Sequence, residues 1–218
     1  MWTVSLQNRQ KCVLVFNKHR FKRIAGGLIL LQQSKKKRIK AYIIVVEMCL
    51  YLKTIGNFNG MYCVHSALQS PAIRQLRPWP KSCDEKLAEV DDLMSPNMNY
   101  KNYRNIVNSW NFAYIPWFGV ITQQLISISE IGTKLARSLS NSGKGSNCSE
   151  MINFKMLGQQ FEAIKPWKHA ARASYSFRRN DLANILFNQF RPLADGQKFC
   201  DDYFWDLAVS ILKKESAK

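Results

Sequence analysis

With 218 residues, 46% of them hydrophobic, the chain can bury one sizeable core, and its formal charge of +17 favours partners that carry phosphate. Six cysteines lie scattered without a C-x-x-C pair and apart from His19, His65 and His169, which argues against a zinc module and a disulfide framework. The most apolar stretch, Ala41 to Leu52, is broken by Glu47 and too short for a membrane span; the chain's start does not read as a signal peptide, nor its end as a lipidation box.

Residues 1–53 hold 12 Lys and Arg against a single acid, Glu47. Such a segment attracts phosphate on a nucleic acid or an anionic membrane. The run Lys35-Lys36-Lys37-Arg38 also reads, more simply, as a solvated helix start. No RNA-binding consensus and no stripe of aromatics interleaved with Arg follows, so the expectation is weak anionic-membrane contact through this segment and no specific nucleic acid.

From residue 38 onward helical periodicity dominates, and the chain reads as all-α. It predicts helices near 38–55, 60–69, 84–94, 99–110, 117–138, 152–171, 180–189 and 201–212. Breakers separate them: Gly56-Asn57, Pro78 and Pro80, Ser95-Pro96-Asn97, Pro116, and the Gly/Ser/Asn-rich run 140–149.

The segment 117–138 is the most informative. Phe118, Ile121, Leu125, Ile128 and Leu135 follow a three-four spacing and make one apolar stripe that must pack on something. Gln123, Ile126 and Glu130 line up on roughly the opposite face. An isoleucine beside a carboxylate, turned away from the core, invites a functional explanation. After the linker, Phe154, Leu157, Phe161, Ile164 and Trp167 give a second stripe, so the two helices are expected to pair as an antiparallel hairpin, with a kink at Pro166.

Five stretches in order resemble the Ras guanine-nucleotide exchange factor (RasGEF) family. They are Asn57-Phe58-Asn59, Ser70-Pro71-Ala72-Ile73-Arg74-Gln75-Leu76 with Trp79, Asn99-Tyr100-Lys101-Asn102-Tyr103-Arg104, Ile115-Pro116-Trp117-Phe118-Gly119, and Ile152-Asn153-Phe154. The resemblance covers roughly residues 38–212. Residues 1–37 do not resemble the helices that open the family's catalytic domain, so a basic extension, a partial domain and a short tail at 213–218 are expected, as in an N-terminally truncated or divergent member.

The resemblance implies an all-α catalytic domain whose protruding antiparallel hairpin wedges into the nucleotide site of a Ras-, Rap- or Ral-type GTPase, at a cytoplasmic location with recruitment to the inner face of the plasma membrane. The family's intruding apolar residue and its phosphate-competing carboxylate fall on Ile126 and Glu130. Its docking patch falls on Tyr100 and Trp117, with Gln123 alongside, and Asn57 and Asn59 fall where the family supports the hairpin. Exchange makes and breaks no bond, so no cofactor, metal or enzymatic chemistry is expected. On residue type alone, Tyr100 and Trp117 read equally as half-buried aromatics, Glu130 as a solvated acid, and Asn57 and Asn59 as turn caps. Gln75 where the family usually has Arg, Leu157-Gly158 in place of a basic pair, and Pro166 keep open a second reading, a RasGEF-fold interaction module without exchange.

Overall fold

The computed structural model describes residues 20–141, 153–172 and 201–216, with positions 181, 185, 188 and 189. Helix α1 covers 20–30, followed by α2 (Lys35–Thr54), α3 (Phe58–Leu68), α4 (Pro71–Arg74), α5 (Lys81–Leu93), α6 (Lys101–Ser109), α7 (Phe118–Asn141), α8 (Phe154–Arg172) and α9 (Asp201–Ser216). Among the described residues there is no strand, and a lone parallel bridge pairs Asn57 with Ile115. Seven of the predicted helices recur with ends moved by a few residues. Of the one expected over 180–189, the four described positions are helical.

Capping explains the earlier start of α2. The Ser34 hydroxyl accepts the Lys37 amide at 3.3 Å, which brings Lys35, Lys36 and Lys37 into the first turn, where all three are exposed as a solvated helix start should be. Arg38 departs from that reading. It is only 3% exposed, its guanidinium donating to the Gln32 carbonyl at 3.0 Å and pairing with Glu215 in α9.

The core forms where α2 lays Tyr42, Val45, Val46 and Cys49 among Met61, Val64 and Leu68 of α3 and Leu87 and Val90 of α5. Helix α1, hidden from periodicity by Gly26-Gly27, adds Ala25, Ile29 and Leu30 to the same core. A Cβ at Gly26 would lie 3.6 Å from the Phe204 ring of α9, so α1 and α9 meet closely there. The boundary expected at residue 37 thus falls inside the first turn of α2, a helix that shares its core with α1. The Ser70–Leu76 stretch and Trp79 form a corner of it: Trp79 stacks on Tyr42 at 4.2 Å and donates its indole N–H to the Ile73 carbonyl at 3.3 Å.

One stripe departs from its expectation in its first three members, while Ile164 is half-buried and Trp167 meets α7 as expected. Phe154, Leu157 and Phe161 of α8 are exposed, and the flank turned toward α7 carries Met156, Gln160, Ala163 and Trp167. Helix α8 continues through Pro166. Leu135 and the 140–149 linker lie outside the residues whose side chains are described.

Two buried acids of the core predict an alkaline limit. Burial pushes the Tyr42 hydroxyl up to about 12, with Asp84 adding to it, and pushes the Cys49 thiol up to about 12. Both folded pKa values exceed the unfolded ones, so their contribution is complete below the unfolded values and is lost as pH rises from about 9 to about 12. The urea midpoint is expected to fall across that window, and less steeply in Tyr42→Phe and Cys49→Ala. A midpoint equally steep in both variants would contradict the assignment.

Candidate functional site: a cleft at the base of a helical pair

The segment Asn57–Asn59 and the segment before α7 are joined through the main chain. Ile115 donates its N–H to the Gly56 carbonyl at 2.9 Å and accepts from Phe58 and Asn59 at 3.0 and 3.4 Å. The Asn57 side chain caps α3 by accepting the Gly60 amide at 2.9 Å. Gly60 leaves room for that cap, since a Cβ there would press on the Asn57 amide group at 3.0 Å. Phe58 is fully buried, with Tyr103, Trp110 and Tyr114 meeting its ring edge-on. Asn59 therefore braces the segment before α7 through its own backbone N–H, Asn57 holds the start of α3 that lies against it, and no hydrogen bond among the described residues links either to Glu130.

Trp117 is 6% exposed. It stacks on Tyr62 at 4.3 Å and receives Tyr100 and Tyr103 edge-on at 4.9 and 5.8 Å, while its backbone N–H donates to the Tyr103 hydroxyl at 2.6 Å. Burial raises the Tyr103 pKa, so the hydroxyl stays neutral and available as acceptor. Gly119 lies under the indole, where a Cβ would come within 2.7 Å of Nε1. Trp117 is thus the enclosed floor of an aromatic cluster, and half-buried Tyr100 is its outer wall.

Tyr100 is held unusually. Met98, Asn99 and Tyr100 have φ of 49°, 56° and 57°, a left-handed run that costs an L-residue roughly 1–2 kcal/mol per position. Arg104 donates to the Met98 carbonyl at 2.9 Å and fastens the run to α6.

Helices α7 and α8 pair in antiparallel register. The Phe118 ring meets Trp167 at 6.0 Å, Ser129 meets Gln160 at 3.5 Å, and Gly132 faces Met156. The Tyr114 hydroxyl donates to the Pro166 carbonyl at 3.2 Å, joining the segment before α7 to the far end of α8. Along α7, Ile121 is buried and Phe118, Leu125 and Ile128 are partly so, while Gln123, Ile126 and Glu130 are exposed.

One flank of the pair and the left-handed run enclose a cleft of about 880 Å³. Tyr100 and Gln123 both line it, with Asn99, Gln124, Ser127 and Ile128, and with Lys155, Gln159 and Glu162 of α8. Ile126 and Glu130 are outside its lining. The α8 residues carried no sequence signal, because the helix had been oriented by its apolar stripe, which turns away from the cleft.

A family model for the RasGEF domain matches residues 3–157. The chain belongs to the RasGEF domain family. It is 26% identical over 85% of its length to Rap guanine nucleotide exchange factor 1 of Homo sapiens, 29% over 86% to Guanine nucleotide-releasing factor 2 of Drosophila melanogaster, and 24% over 86% to Ras guanine nucleotide exchange factor S of Dictyostelium discoideum. The aligned part is 16%, 11% and 18% of those proteins respectively, so the chain spans less than a fifth of each. The RasGEF match begins at residue 3, well inside the segment expected to be an unrelated extension. Two stretches that suggested the family, Asn57–Asn59 and Ile115–Gly119, meet in this RasGEF domain at the backbone pairing beneath α7.

Proposed function

We propose that the chain is a guanine-nucleotide exchange factor for a Ras-superfamily GTPase and that Ile126 and Glu130 are the groups that displace magnesium and GDP. The carrying observation is the exposure of this pair on the outward face of α7, with Ile126 53% exposed and Glu130 one turn further on. A large apolar side chain left in water on a helix whose other stripe is packed is available to a partner.

An isoleucine cannot replace water as a magnesium ligand, and a carboxylate competes for the donors and field that hold a phosphate. Either effect lowers nucleotide affinity, and by linkage the GTPase without nucleotide then binds the factor more tightly by the same factor. Magnitude requires more than the tip. A rate gain of about ten-thousandfold needs about 5.5 kcal/mol, whereas burying one large apolar side chain supplies about 1.5–3 kcal/mol. The cleft that joins Tyr100 and Gln123 is a second contact area on the same pair of helices.

The test is release of a fluorescent GDP analogue from Ras, Rap and Ral proteins with the chain added. Acceleration is expected on at least one of them, reduced about tenfold by Glu130→Ala and by a comparable factor in Ile126→Ala, each about 1.4 kcal/mol of lost differential binding. Both sites are exposed, so both variants should unfold at the unchanged urea concentration. No acceleration on any of the three by folded protein would overturn the proposal and favour an interaction module without exchange.

A further inference from the structure

The pairing of Arg38 with Glu215 brings together two runs of lysine that stand far apart in the chain. It joins the last turn of α9, which carries Lys213 and Lys214, to the first turn of α2, which carries Lys35, Lys36 and Lys37, with Lys40 one turn on. All six lysines are exposed, and none is ion-paired among the described residues. Glu215, the acid of that turn, is engaged by Arg38.

The same solvent face of α2 continues as apolar surface. Lys37, Lys40, Ile44 and Tyr51 recur at three-, four- and seven-residue steps; Ile44 is 65% exposed and Tyr51 59%, with Ile43 beside them at 38%. Glu47 shares this face but pairs with Lys86, and Glu89 of the neighbouring α5 pairs with Lys53, so neither acid offsets the lysines. Beyond its cationic first turn and a half, the exposed side of α2 therefore carries Ile43, Ile44 and Tyr51, interrupted by the Glu47–Lys86 pair. None of these residues lines the cleft. Among the described residues no helix is long and apolar enough to cross a membrane, so any lipid contact made here is a surface contact.

We infer that the exposed face of α2, with the last turn of α9, is a docking surface for an anionic lipid bilayer. The lysines take the headgroup charge, and Ile43, Ile44 and Tyr51 enter the boundary between headgroups and acyl chains. A bilayer is the occupant because it offers negative charge and apolar depth along one plane, as a helix lying in that plane requires. A nucleic acid offers only the charge.

The experiment is co-sedimentation of the whole chain with vesicles of phosphatidylcholine alone or mixed with phosphatidylserine. Binding is expected only to the mixed vesicles, weakened about fivefold for each lysine removed, so that Lys36→Gln/Lys37→Gln/Lys40→Gln loses about a hundredfold. Lys213→Gln/Lys214→Gln should weaken binding as well, because the Arg38–Glu215 pair holds that turn of α9 at the start of α2. Ile44→Ser should weaken it severalfold at constant charge. Every substituted side chain is exposed, and an unchanged thermal midpoint verifies folding. Three results overturn the inference: no preference for anionic vesicles, binding that survives the lysine variants or ignores Ile44→Ser, and tighter binding to a DNA duplex than to the vesicles. The readout involves no GTPase, so its outcome is independent of exchange.

Discussion

Phe58→Ala is expected to lower the free energy of unfolding by about 3–5 kcal/mol, the range for emptying a fully buried aromatic site. A domain of this kind holds roughly 5–15 kcal/mol in all, so a fifth or more would be lost. The ring is wholly buried, and Trp110, Tyr103 and Tyr114 meet it at centroid distances of 5.2, 5.6 and 6.4 Å. Those three rings come from α6 and the segment leading to α7, so the cavity would open at the brace beneath the helical pair. Urea denaturation measures the loss. A cost below about 1.5 kcal/mol would show that the neighbouring rings collapse into the space, contrary to the packing described.

The second large effect is at Trp117 and changes sign with its neighbour. Trp117→Ala should cost about 3–5 kcal/mol, since it removes a buried indole packed by three tyrosines. Gly119→Ala alone places two effects in opposition. Alanine in a helix is favoured over glycine by up to about 1 kcal/mol, but overpacking costs about 1–3 kcal/mol. Overpacking wins, because the new Cβ lies 2.7 Å from the indole and Tyr62, stacked on that indole, hinders its retreat. In the Trp117→Ala background the obstacle is gone, and Gly119→Ala should become stabilising by about 0.5–1 kcal/mol. The double-mutant cycle therefore has a coupling of about 2 kcal/mol. A Gly119→Ala effect that is the same in both backgrounds would refute the enclosed position of Trp117.

Much of this was legible in the order of residues. The three-four spacing of Phe118, Ile121, Leu125 and Ile128 determined which side of α7 packs and left Gln123, Ile126 and Glu130 in water, as found. Breakers determined where helices end, and the run Lys35-Lys36-Lys37 read as the solvated helix start that it forms. These are local effects: a helix places residues three and four apart on one face whatever surrounds it.

What only the tertiary structure decided concerns the neighbours of a face. A stripe such as Phe154, Leu157 and Phe161 shows that three side chains share a side, and contacts with α7 then turned the opposite flank inward. Trp117 could have been presented to a partner, yet Tyr62, Tyr100 and Tyr103 close around it. Arg38 is one cation in a run of four until Glu215, 177 positions later, reaches it and brings two more lysines alongside. Burial and charge clustering are sums over residues that meet in space, and their partners lie too far apart in the chain for any local period to record them.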